Sequence, residues 1–242
     1  MKSMREEVNA ADKLRNALTA LEPDARARTT GAVRADGTLF TLEEQHRAVS
    51  GFELNPSVPI DIRVHFETAK NLYLYAWFVY RFYPVAERQA LSTLEFALRE
   101  RLALLFPGKY GSTSKPKQGL SALLRKASVE KLIANDGLRA SHRWAMQRAR
   151  QRVADEALQQ LVQSGAALVE FDYDSARAEP KDYSDDALSV FIETLPKIRN
   201  AHAHGSAMLH PTVLGTFEIV TDLVNQLYPI HESAGNSVGT CA

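Results

Sequence analysis

The chain has 242 residues, with 29 lysines and arginines against 29 aspartates and glutamates, so its formal net charge is zero. That length suits one domain with an extension or two small domains, and a hydrophobic fraction of 45% is enough for a sizeable core. The balanced charge removes any argument from net charge for nucleic-acid or membrane binding, and a single cysteine, Cys241, excludes an intrachain disulfide and a thiolate zinc site, as expected of a cytoplasmic protein.

Residues 4–21 read as a helix, with Leu14, Ala17, Leu18 and Leu21 at three- and four-residue steps. The stretch Met1 to Arg5 lacks the apolar run of a signal peptide. Pro23, Gly31 and Gly37 among polar residues make 22–40 a loop or short hairpin. Thr41-Leu42-Glu43-Glu44 has the capping-box pattern and starts a short helix. Pro56 and Pro59 block helix continuation, which divides an N-terminal extension, 1–55, from a helical domain, 57–230. A central helix is expected over 60–82, with its aromatics from Phe66 to Phe82 in the core or in a dimer interface. Its most apolar run, Leu72 to Tyr80, is far short of the roughly 20 residues that cross a bilayer. Pro84 suits the first turn of a second long helix to about Phe106, with Leu91, Leu94, Leu98, Leu102 and Leu105 as its stripe.

Residues 107–119 form a basic loop that includes Lys109, Lys115 and Lys117. Helices follow at 119–133 and 140–164, the second with Met146, Ala149, Val153, Ala157 and Leu161 inward. Residues 165–183 are an acidic linker. Ser184 is placed to cap the next helix, with Asp185 and Asp186 against its N-terminal dipole. Leu188, Phe191, Ile192, Leu195 and Ile198 make that helix's stripe, and Pro196 should kink or restart it. Pro211 opens a last helix carrying Leu214, Phe217, Val220, Val224 and Leu227; residues 231–242 make a polar tail expected to be disordered. No alternating period is long enough for a sheet, so the fold class is all-α.

The segment Ile198-Arg199-Asn200-Ala201-His202-Ala203-His204-Gly205 carries the chemistry. Arginine offers a permanently charged fork for phosphate oxygens, and histidine can take and give a proton near neutrality. An Arg–His spacing alone carries little in a chain with seven histidines. Asn200 beside the arginine, Gly205 after His204 and the helical setting give it content. A plain reading is available as well: Gly205 as a left-handed helix cap, His204 favoured by the helix dipole, and Arg199 paired with the acidic linker or Glu193.

In its helix–motif–helix setting this segment resembles the signature of the HEPN superfamily, small helical bundles that include metal-independent endoribonucleases of toxin–antitoxin, abortive-infection and CRISPR-type defence systems. Arg199, Asn200 and His204 match the family's arginine, polar residue and histidine. Leu94-Glu95-Phe96-Ala97-Leu98-Arg99 is similar to the second long helix of abortive-infection-like members. The resemblance spans 57–230 and leaves 1–55 without a counterpart. It implies a HEPN-like bundle, a homodimer that brings two motifs together, an RNA substrate, an antitoxin protein as a possible partner, and no metal or cofactor. Arg199 would stabilise the charged transition state, His204 would transfer protons and Asn200 would orient phosphate or histidine. A catalytically silent HEPN-like module that binds nucleotide, nucleic acid or a partner protein is the alternative.

Four further readings concern neighbours. Glu95 and Arg99 can form an intrahelical ion pair, or Glu95 can orient Arg199 or His204 across the bundle. His202, inside the motif, is a second candidate proton carrier. Arg143, Arg148 and Arg150, within a run from Arg139 to Arg152, are either a solvated helix face or, with Lys115 and Lys117, a track for RNA phosphates. His46, His65 and His231 have no companions at ligand spacing, so no metal site is assigned.

Overall fold

A computed structural model describes residues 8, 10–30, 40–110, 118–165, 167–203 and 213–230. Among them the regular elements are all helical: α1 (Ala25–Thr30), α2 (Leu42–Ser50), α3 (Ile60–Tyr75), α4 (Phe82–Leu105), α5 (Leu120–Val129), α6 (Arg139–Ser164), α7 (Ala187–Ala203) and α8 (Leu214–Leu227), with short 3-10 turns between them. Among the described residues no helix is long and apolar enough to cross a membrane.

The hub is α4. Its stripe Leu91, Leu94, Leu98 and Leu102 is fully buried, and α8 lies along it with Phe217, Val220, Leu223, Val224 and Leu227 equally buried. Each such side chain contributes about 1.5–3 kcal/mol by leaving water. Thr216 of α8 meets Glu87 and Tyr228 meets Ala97, so α8 runs parallel to α4. Helix α3 folds back antiparallel: Tyr73 packs edge-on against Tyr83, and His65 reaches Thr93. Helix α7 closes the other side with Phe191 and Leu195. Thr41 and Glu44 form the expected reciprocal cap on α2.

The expected helix over 4–21 does not form within the described residues. A 3-10 turn at Ala10–Asp12 is followed by turns, and Leu14, Leu18 and Leu21 face solvent. The side chain of Asn16 accepts from the Leu18 N–H, an Asx turn that competes with helix. Charge holds this segment instead. Asp12 pairs with Arg26 and Arg81, and the buried Asp24 pairs with Arg15 and Arg26. Within the expected loop 22–40 lies the short helix α1.

The helix expected over 60–82 stops at Tyr75. Trp77 and Phe78 donate three residues back, tightening the chain into turns. Asp24 then takes the freed groups: its N–H donates to the Trp77 carbonyl at 2.9 Å and its carboxylate accepts from the Tyr80 N–H at 3.3 Å. Leu105 is exposed; Phe106 covers the end of α4, under the Lys126 ammonium.

The inward face of α6 is alanine, at Ala140, Ala145, Ala149 and Ala154, whereas Met146, Val153, Ala157 and Leu161 are half-buried. Small residues suit it because the segment 173–183, not a second apolar layer, lies against it. Ser184 does not cap α7. It binds Arg148, and the Asp186 carboxylate accepts from the Ser189 N–H at 3.0 Å. Helix α7 continues through Pro196 to Ala203 without restarting. The apolar face of helix α8 is spent in the core. Pro211 and residues 231–242 lie outside the described residues.

Candidate active site

Helices α7 and α4 run antiparallel, so residues late in α7 meet residues early in α4. Arg199 and His202 lie three apart on α7 and share one side of its last turns. Opposite them α4 presents Glu95 and Glu87.

Glu95 holds two guanidiniums. One oxygen accepts from Arg99 Nη2 at 2.7 Å, and the other lies 3.3 Å from Arg199 Nη2. The intrahelical pair and the cross-bundle contact therefore coexist, and Glu193 is not the partner of Arg199. Arg99 also donates to the Gln118 carbonyl, which ties α4 to the start of α5. The Arg199 side chain keeps 40% exposure, so its fork stays open to an anion while one edge is held. The Asn200 amide oxygen lies 3.4 Å from Arg199 Nη1, and Asn200 faces solvent.

Glu87 was not among the sequence candidates. Its side chain is 3% exposed. One oxygen accepts from His202 Nε2 at 2.7 Å and the other from Thr216 Oγ1 at 2.6 Å. A carboxylate at this depth needs such donors, because its unpaired charge would cost several kcal/mol. A sequence signal existed: positions 87, 91, 94 and 98 share one face of a helix, so Glu87 stands on the leucine stripe itself. The hydrogen bond from His202 calls for a proton on Nε2, the atom that faces the carboxylate.

His204, Gly205, Lys115 and Lys117 lie outside the described residues. Of the α6 arginines, Arg143 pairs with Glu218 and Arg148 with Asp185, while Arg139 binds Asp222 and Arg152 binds Asp182 and Glu179. Arg150 faces solvent with no acidic partner among the described residues. A shallow hollow of about 340 Å³ along α6 is lined by His142, Arg143, Met146, Gln147 and Arg150. Larger hollows of about 540 and 520 Å³ run along α3 and α2 and include none of the candidate residues. Among the described residues no group of three or more His, Cys, Asp or Glu side chains is placed to hold a metal ion.

The last turns of α7 thus present one half-open guanidinium, one solvent-facing amide and one buried histidine, fixed from behind by two carboxylates of α4. No family model matches this chain, and neither a curated protein nor a solved structure does.

Proposed function

We propose that this chain is a HEPN-like, metal-independent endoribonuclease of toxin or phage-defence type, working in the cytoplasm as a homodimer. The observation that supports this reading most is Arg199: a half-exposed guanidinium, steered by Glu95 from across the bundle, beside a solvent-facing Asn200 and followed in sequence by His204 and Gly205. RNA supplies its own nucleophile, the 2′-hydroxyl. A histidine takes the 2′-hydroxyl proton as oxygen attacks phosphorus, the bond to the 5′-oxygen breaks, and a second histidine protonates that leaving group. Arg199 stabilises the charge on the non-bridging oxygens. With one such motif per chain, the acid and the base come from two protomers, and an antitoxin protein is a natural controller.

The purified protein should cut single-stranded RNA in excess EDTA and leave 2′,3′-cyclic phosphate ends. Light scattering should give twice the chain mass of 26.9 kDa. Cleavage only with added divalent metal, or a strict monomer at micromolar concentration, would count against the reading. The charge pairing on α6 favours a second one, a silent module binding nucleotide, nucleic acid or a partner protein, since Arg143 and Arg148 already face internal carboxylates. RNA left intact under all conditions, by a well-folded dimer, would select it.

A further inference from the structure

We propose that Glu87, His202 and Thr216 form a buried clamp that sets the register between the end of α7 and the start of α8, and that His202 is a positioning residue rather than a proton carrier. What is positioned rests on the ribonuclease reading above; the clamp itself does not.

Both oxygens of Glu87 are taken, at 2.7 and 2.6 Å, by groups from two different helices. Those groups stand in the last turn of α7 and the first turn of α8, at the two ends of the connection between these helices. An apolar side chain at position 87 would give cohesion without desolvating a charge. A carboxylate adds direction, because it accepts only along its lone pairs. It therefore selects one rotation of α7 and one of α8. Arg199 lies one turn before His202 on the same side of α7, so fixing His202 fixes where the Arg199 side chain departs, and Glu95 then steers its fork.

The burial of this contact sets His202 apart from the half-exposed Arg199. The histidine's Nε2 faces a carboxylate flanked by the fully buried Ala86, Ala90 and Leu91, and its side chain is 8% exposed. An RNA approaching Arg199 from solvent does not reach that proton.

His202→Gln separates the roles, because glutamine offers Glu87 an N–H donor and cannot titrate. With the full chain and single-stranded RNA in EDTA, H202Q should keep cleavage within about tenfold of the parent. H202A should lower kcat further, with KM and the shape of the pH–rate profile unchanged. Amide exchange supplies the readout that needs no activity. In H202A and E87A, exchange should rise by about tenfold or more at 199–203 and 214–217, stay unchanged along the middle of α4 and α8, and return towards the parent in H202Q. Loss of about 10²–10⁴ in H202Q, together with one limb of the pH profile, would make His202 the proton carrier and overturn the assignment. Exchange that rises uniformly, or not at all, would overturn the clamp. If the parent cuts no RNA, the ribonuclease reading falls and the exchange measurement still decides the clamp.

Discussion

The seam between α4 and α7 and the inward edge of α6 both set basic side chains against carboxylates, with different results. On the seam the acids belong to the core helix: Glu87 and Glu95 rise from α4, and the groups they hold, His202 and Arg199, belong to the motif. On α6 the acids belong largely to the chain that crosses over it. Asp182 accepts both contacts from Arg152 Nη1, at 2.7 and 2.8 Å, and Asp185 takes Arg148. A carboxylate planted on a buried helix aims the side chain it meets. A carboxylate on a connecting segment fastens that segment, and the arginine is consumed in doing so. The sequence expectation of a phosphate track on α6 weighed the arginines without these partners.

Variants can pull the two regions apart. The largest effects belong to the motif: His204→Ala should lower RNA cleavage by about 10²–10⁴ and Arg199→Ala by about 10²–10³, measured as single-turnover rates, with helical circular dichroism retained. A large fall in melting temperature in either would make the residue structural. Next comes Glu87→Ala, which takes the buried acceptor away from His202 and Thr216 and should cost about 1–3 kcal/mol in denaturant unfolding. A loss no greater than that of an exposed-site substitution would show the seam to be slack.

A smaller effect separates the regions by pH. Asp182 is held below the usual carboxylate range by the Glu179 N–H and by Arg152. For Asp24 burial acts upward, and hydrogen bonds from Arg26 and the Tyr80 N–H outweigh it, so its pKa is also lowered. A lowered folded pKa gives stability that is present above the unfolded value of about 3.9 and lost as pH falls through the folded value. Asp182→Asn and Asp24→Asn should therefore lower the melting temperature at pH 7 and converge on the parent in strong acid. Asp222 has the opposite sign, because burial raises its pKa despite Arg139. A gap for Asp182→Asn that does not close at low pH would point to shape rather than charge. The smallest effect belongs to Arg150→Ala, within about 0.5 kcal/mol of the parent in stability. If the protein binds RNA along α6, that change should reduce the salt dependence of binding by about one phosphate contact.

Where a feature depended on neighbours in sequence, it was legible. The Thr41–Glu44 cap, the leucine stripe of α4 and the apolar face of α8 all follow from spacing. The spacing allows Glu95 to pair with Arg99 or with Arg199, and both contacts exist. Where a feature depended on a distant partner, local pattern misled. The aromatic run through Trp77 reads as unbroken helix, and only Asp24, far upstream, supplies the groups that settle a corner there. Ser184 looks like a cap until Arg148 claims it. Glu87 does not stand out in the sequence, because glutamate on a helix is ordinarily solvated. Its position on the leucine stripe was the available sign, and its partners lie more than a hundred residues away.

The corner between α3 and α4 has a consequence for how the chain is made. Asp12 and Asp24 leave the ribosome early, but the groups they bind, at Trp77, Tyr80 and Arg81, emerge more than fifty residues later. The leading segment therefore waits, with the charge of Asp24 still solvated, until the first helical hairpin has been synthesised. Docking it is a long-range, entropically slow event laid on top of a locally fast one. A shortened chain beginning at Ser57 would skip that wait, and it would leave the Trp77 carbonyl and the Tyr80 N–H without the partner that turns the corner.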